Sequence, residues 1–165
     1  MRIRIVVAVL VLLAACYVDA RSMPTCRLSV PAVEAAIAEK TRSLAGHEYC
    51  QFRRYDVIDD FDHDGTEDFA VTFNVEGPNG GGNHVLSFLH VYLSSHQETA
   101  EPLEIAVGER GTYLPDAITF DGKEIVLHIQ KWSSGDALCC PSGLGEIRVR
   151  VDRTRGLTLP SPLRE

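Results

Sequence analysis

Positive charge is scarce in this chain. Lys and Arg number 16 against 23 Asp and Glu, a formal net charge of −7. So acidic a chain, with no basic stripe to offset it, repels a phosphate backbone, which argues against nucleic-acid binding. Long apolar runs are lacking as well, apart from one at the extreme N-terminus. No C-x-x-C spacing occurs, and the histidines (47, 63, 84, 90, 96 and 128) are scattered without ligand spacing, so a zinc site has no support. A nucleophile elbow, a metalloprotease motif and internal repeats are also missing. Acids abound, but no spacing pairs two of them as general acid and base. The remainder is an ordinary folding composition, 45% hydrophobic and 24% charged over 165 residues. That suits one domain with a real core and excludes wholesale disorder.

The N-terminus indicates the compartment. A basic start (Arg2, Arg4) precedes an unbroken apolar run over residues 5–13. The run is far short of the ~20 residues a spanning helix needs, and it fits the h-region of a signal peptide. Leu13-Ala14-Ala15-Cys16 resembles the lipobox of bacterial lipoprotein signal peptides. That resemblance implies removal of residues 1–15 and lipidation of Cys16, which would anchor the chain to a membrane. The competing expectation is ordinary cleavage after Ala20. With Tyr17 rather than Asp after Cys16, a Gram-negative host would place the protein at the outer membrane. The expected organisation is a signal peptide (1–15), a tether (16–25), a single domain (26–158) and a tail (159–165).

Either cleavage leaves an even set of cysteines: Cys26, Cys50, Cys139 and Cys140. An oxidising compartment favours pairing them. Residues 30–45 read as a helix of roughly 24 Å, and the flanking segments are long enough to bring Cys26 back to Cys50. That bridge is worth about 3.5 kcal/mol in the chain-entropy model. Cys139 and Cys140 are then left to each other. Adjacent Cα atoms lie about 3.8 Å apart, below the ~4.4–6.8 Å of most disulfides, so a vicinal bridge competes with free thiols and with a swap onto Cys26 and Cys50.

In the helical segment Ser29 can cap, Pro31 suits the first turn and Gly46 can end it. Val33, Ile37 and Leu44 share a side. Downstream, strands dominate. Phe69, Val71, Phe73 and Val75 alternate with Ala70, Thr72, Asn74 and Glu76, the first set expected inward and the second outward. Residues 77–83 (GPNGGGN) predict a flexible connection, residues 84–93 a long apolar strand. Asp121-Gly122, between strands at 112–120 and 124–132, is a type I′ hairpin signal. Ile147, Val149 and Val151 alternate with Arg148 and Arg150, and residues 157–165 predict a frayed tail. The expected fold is α+β, one N-terminal helix on a largely antiparallel, disulfide-stapled β-meander.

Two motifs stand out. The first, Asp60-x-Asp62-x-Asp64-Gly65-Thr66-x-Asp68, sets alternate carboxylates on one side of a tight loop. A hard cation such as calcium would be held by these acids with the Thr66 carbonyl, while Gly65 permits the turn. Asp56 and Asp59 are nearby spares. An EF-hand is excluded because Val71, not Glu, stands at the twelfth position. The pattern resembles the calcium loops of FG-GAP and integrin-type strand–loop–strand repeats; the bland alternative is an acidic hairpin that binds nothing. The second motif is Gly135-Asp136-x-x-Cys139-Cys140-Pro141-Ser142. Together with the acidic turn running into Phe69, it resembles the small exported LppP/LprE-type bacterial lipoproteins. That resemblance implies a cell-envelope protein of unassigned activity.

Three readings follow. The first is a non-enzymatic, lipid-anchored envelope domain, calcium-stabilised and acting by binding. The second is a periplasmic inhibitor or immunity protein against a lysozyme-like cell-wall hydrolase, using loop 77–83 or 108–113, its acidic surface steering it to a basic enzyme. The third is a thiol–disulfide enzyme at Cys139 and Cys140, against which stand their adjacency, Pro141 and the loop context.

Overall fold

The computed structural model describes residues 26, 28, 30–50, 54–96, 101–152 and 156–159. Among them are one helix and nine strands, all antiparallel, so the protein is mostly β. The signal segment, Cys16 and Ser29 lie outside the described residues. No described helix is long and apolar enough to cross a membrane.

Helix α1 (Pro31–Ser43) begins at Val30 without a side-chain cap; Pro31 at its start leaves one fewer amide to satisfy. Its end corrects the expectation for Gly46. Ala45 takes the left-handed conformation (φ 49°), with its amide on the Arg42 carbonyl and the Gly46 amide on that of Thr41, the Schellman pattern. Gly46 is needed for a different reason. A Cβ there would lie 2.7 Å from Val75 Cγ1 and 2.8 Å from the Glu76 carbonyl, because the chain passes directly over the sheet.

The strands are β1 (His47–Glu48), β2 (Tyr55–Asp59), β3 (Asp68–Glu76), β4 (Val85–Tyr92), β5 (Leu103–Glu109), β6 (Tyr113–Phe120), β7 (Ile125–Lys131), β8 (Gly143–Asp152) and β9 (Gly156–Thr158). Their order is β1-β3-β4-β5-β6-β7-β8-β9, with β2 also on β3. A single register pair, Glu109↔Tyr113, joins β5 to β6. The sheet turns at that corner and rolls over, so that β2 lies against β6 and β5 against β9. Bulges in the β4–β5 and β6–β7 pairings, the latter beside Pro115, accommodate the bend.

Two cores result. One fills the rolled sheet with Ala70, Leu89, Val91, Val107, Leu127, Ile129 and Val149 among others. The other lies under α1, where Val33 and Ile37 meet Val71, Phe73, Val75 and Phe88. Strand β3 is shared by both, which corrects the expected outward face: Ala70, Thr72 and Asn74 are as buried as their neighbours. Their small or polar side chains fit because partners exist, the Ser87 hydroxyl donating to Asn74 Oδ1 and the Thr72 hydroxyl to the Tyr55 carbonyl.

Two further expectations change. Phe120 pairs with Ile125, so four residues form the β6–β7 turn, and only Gly122 has positive φ. The Asp121 carboxylate accepts the Lys123 and Glu124 amides, which stabilises this longer turn over the two-residue type I′ form. Leu157 and Thr158, the start of the segment expected to fray, pair with β8.

The helix is fastened to the sheet at two places. Cys26 and Cys50 form the expected disulfide. Beside it the Arg54 guanidinium, 5% exposed, lies between Glu34 of α1 and Glu48 of β1, with Nε 2.6 Å from Glu48 Oε1. Burial opposes the charge on Arg54, but hydrogen bonds and the field of both glutamates raise its pKa further.

Candidate functional site

The acidic motif connects β2 to β3 just beyond the Asp59↔Asp68 pair. Its own side chains shape it. Asp60 accepts the Asp64 amide on Oδ1 (2.9 Å) and the Gly65 amide on Oδ2 (2.8 Å), folding the loop back over its first residue. Asp62 Oδ1 accepts the Asp64 amide at 3.2 Å, and Asp64 Oδ1 that of Thr66 at 2.8 Å. His63 (φ 59°) and Gly65 (φ 88°) supply the left-handed turns these bonds require.

The loop is pinned to the inner core by Phe61, 2% exposed, whose ring meets Phe120 edge-on at 5.2 Å. The Phe61 amide donates to Asp68 Oδ2 (3.0 Å), and the Ser94 amide donates to Asp68 Oδ1 (2.8 Å). Asp68 is therefore a buried carboxylate at the root of the loop, 2% exposed. Its burial and the nearby Asp62 charge push its pKa up against the pull of the two amides. At Asp60, local desolvation is outweighed by the Gly65 and Asp64 amides and by His63, and the pKa is lowered.

Asp60, Asp62 and Asp68 each place a carboxylate oxygen within 4.8 Å of the other two. With calcium–oxygen bonds of about 2.4 Å, oxygens this close are within reach of a single hard cation. Asp64 does not join this group; its Oδ1 organises the backbone at Thr66, whose carbonyl is the remaining expected ligand. Asp59 accepts the neighbouring Asp60 amide, and Asp56 stands opposite Val71 in the β2–β3 pairing. Oxygen ligands of this kind can hold a hard cation.

The second motif forms the loop between β7 and β8. The Asp136 carboxylate Oδ2 accepts the Ser133 amide (2.7 Å), the Ser142 amide (2.9 Å) and the Ser142 hydroxyl (3.0 Å), closing the loop at its base. Those amides, Ser133 first, hold the Asp136 pKa below the usual carboxylate range. Trp132 donates its indole N–H to the Ala137 carbonyl at 3.1 Å. Cys139 and Cys140, both exposed, are bonded to each other.

Loop 77–83 is not the free connection expected of its glycines. It contains a 3-10 turn, Pro78–Gly80, and the Asn79 amide bonds the Leu44 carbonyl at 2.7 Å, docking the loop on the end of α1. Turn 108–113 instead abuts the β7–β8 loop, with Leu138 Cδ2 3.5 Å from where a Gly111 Cβ would stand.

One group has no counterpart in the sequence reading. His90, 1% exposed, is held between β4, β5 and α1, its Nε2 2.7 Å from Glu104 Oε2 and its Nδ1 3.3 Å from the Tyr92 hydroxyl. Lys40 of α1 pairs with the same Glu104. Nothing in the spacing of residues 40, 90, 92 and 104 signals this cluster; pairing α1 and β5 with β4 creates it. No family model matches this chain, and comparison with curated proteins and with solved structures gave no significant match.

Proposed function

We propose that this is an exported envelope protein, anchored through a lipid on Cys16, whose α+β domain acts by binding and is stabilised by calcium in the 60–68 loop. The observation that carries the reading is the convergence of Asp60, Asp62 and Asp68 around a buried root carboxylate. Leaving three carboxylates so close without a cation costs stability through mutual repulsion. The lipobox-like segment supports the anchor, and the acidic surface fits an extracytoplasmic domain without nucleic-acid partners. Two measurements test it. Mass spectrometry of the mature N-terminus is expected to find diacylglyceryl-modified Cys16, and a chain starting at Arg21 refutes the anchor. Equilibrium dialysis is expected to find one calcium per chain, lost in Asp62→Ala, and no uptake refutes the cation site.

A second reading, inhibition of a lysozyme-like hydrolase, is favoured by the contact between turn 108–113 and Leu138. Leu138, 59% exposed, brings the β7–β8 loop beside that turn. A panel of muramidases tests it: retention of at least one on the immobilised protein supports the reading, and retention of none counts against it.

A further inference from the structure

We propose that Cys139–Cys140 is a reversible redox site, a disulfide opened and re-formed by exchange with a protein dithiol while Cys26–Cys50 stays closed. The argument is one of contrast. Both sulfurs of the vicinal pair belong to exposed residues, on a stretch, 137–145, that carries no charged side chain. The neighbouring carboxylate, Asp136, is occupied by the Ser133 and Ser142 donors. A thiolate, which is the attacking species in exchange, therefore meets little opposing charge there. Cys26–Cys50 is half-buried, and a carboxylate oxygen of Glu48 lies within 4.8 Å of both its sulfurs. Burial opposes an incoming thiolate at that bridge, and the Glu48 carboxylate there is already paired with Arg54.

The loop also holds its shape without the sulfur bond. The Asp136 amide donates to the Ser133 carbonyl (3.1 Å) and the Cys140 amide to that of Ala137 (2.9 Å), in addition to the Asp136 carboxylate bonds and the Trp132 indole bond. After opening, the two thiols remain side by side on a fixed turn, so they re-pair with each other rather than with a distant cysteine.

In the forward step, one thiolate of the dithiol attacks Sγ of Cys139 or Cys140. The S–S bond breaks, a mixed disulfide forms, and the other sulfur leaves as a thiolate that takes a proton from water. The second thiolate of the dithiol then attacks its own partner sulfur in the mixed disulfide, releasing the remaining cysteine, which is protonated in turn. Two electrons pass to this chain, and the dithiol ends as a disulfide. Exchange with an oxidised disulfide reverses the sequence.

The test uses the full exported chain, oxidised, exposed to graded dithiothreitol at pH 7.5, then alkylated with iodoacetamide and mapped by mass spectrometry. Cys139 and Cys140 are expected to label at a reductant concentration at least about tenfold below that needed for Cys26 and Cys50. Replacing the reductant with oxidised glutathione is expected to abolish labelling and restore the 139–140 link. Opening of Cys26–Cys50 first or together with the pair overturns the proposal, as does re-pairing of residue 139 or 140 with residue 26 or 50. As a second readout, the double variant Cys139→Ser, Cys140→Ser is expected to melt within a few degrees of the parent. A fall as large as that from removing Cys26–Cys50 identifies a structural staple and refutes reversible function.

Discussion

His90 Nε2 stands 2.7 Å from Glu104 Oε2 in a site where the imidazole is almost wholly buried. Burial pushes the His90 pKa below its ordinary 6.5, and Lys40 adds to this, although Glu104 opposes both. Glu104 is itself held below 4.5, its own burial outweighed by hydrogen bonds from Lys40 and His90. Tyr92, pushed up to about 12 mainly by burial, stays protonated and can donate to Nδ1.

The sign of the pH dependence follows. Below pH 6.5 the unfolded chain protonates His90 before the folded one does, so stability falls with pH in that window. The Glu104 contribution is present above 4.5 and is lost as pH drops through its lowered folded value. Urea midpoints are expected to decline from pH 7.5 to 5, with a shallower decline in His90→Gln. Equal slopes for the two proteins would show that His90 does not carry the effect.

Calcium is expected to raise the melting temperature and EGTA to lower it. A cation bound only by the folded state adds about 2.7 kcal/mol at a hundredfold excess over Kd. Magnesium should do less, because it demands a tighter octahedron than this loop provides. Asp62→Ala should abolish the response, and calorimetry of both proteins in each ion checks it. Identical melting in calcium and EGTA makes the loop a solvated hairpin.

Arg54→Met removes the cation shared by Glu34 and Glu48 and leaves two partly buried carboxylates facing each other. The expected loss is about 3 kcal/mol. Adding Glu34→Gln and Glu48→Gln should restore much of it, since neutral amides do not repel. Chemical denaturation of the single and triple variants measures both.

The end of α1 offers two substitutions of opposite sign. Ala45→Gly relieves a left-handed Cβ and should stabilise by about 0.5–1 kcal/mol. Gly46→Ala drives a Cβ into the Glu76 carbonyl and should cost about 2 kcal/mol, with a lowered thermal midpoint.

Local patterns were legible where one residue's chemistry decides the outcome. The strand alternation at 147–151, the Pro31 start, the Cys26–Cys50 bridge and the turning role of Gly65 all belong to this class. Where the outcome depends on what arrives from elsewhere in the chain, the local pattern does not carry it. Thr72 and Asn74 are polar, and alternation alone puts them in solvent, yet the rolled sheet covers them. The local sequence gives Gly46 a conformational role, but its need comes from Val75 and Glu76, about thirty residues downstream. In the acidic loop, the spacing points to Asp60, Asp62 and Asp68 but also to Asp64, which stands outside the converging group, and it does not show that Asp68 is buried or that Phe61 anchors the turn. Strand β5 carries little local signal, because Leu103, Ile105 and Val107 form only a short alternation that depends on β4 for its pairing.

Strand β3 has consequences for how far this protein can be trimmed. Both its faces are covered and both its edges are paired, one of them by β1 and β2 in succession. Its amides have no local route to solvent, so their hydrogen exchange should report only global opening. Deleting the chain through Ser43 would uncover Val71, Phe73, Val75 and Phe88 in one contiguous apolar strip. The shortened protein should therefore self-associate through that strip rather than persist as a soluble β-domain. The helix is the cover of a second core, and because Cys26–Cys50 spans it, a cut between helix and sheet should release it only after that bridge is reduced.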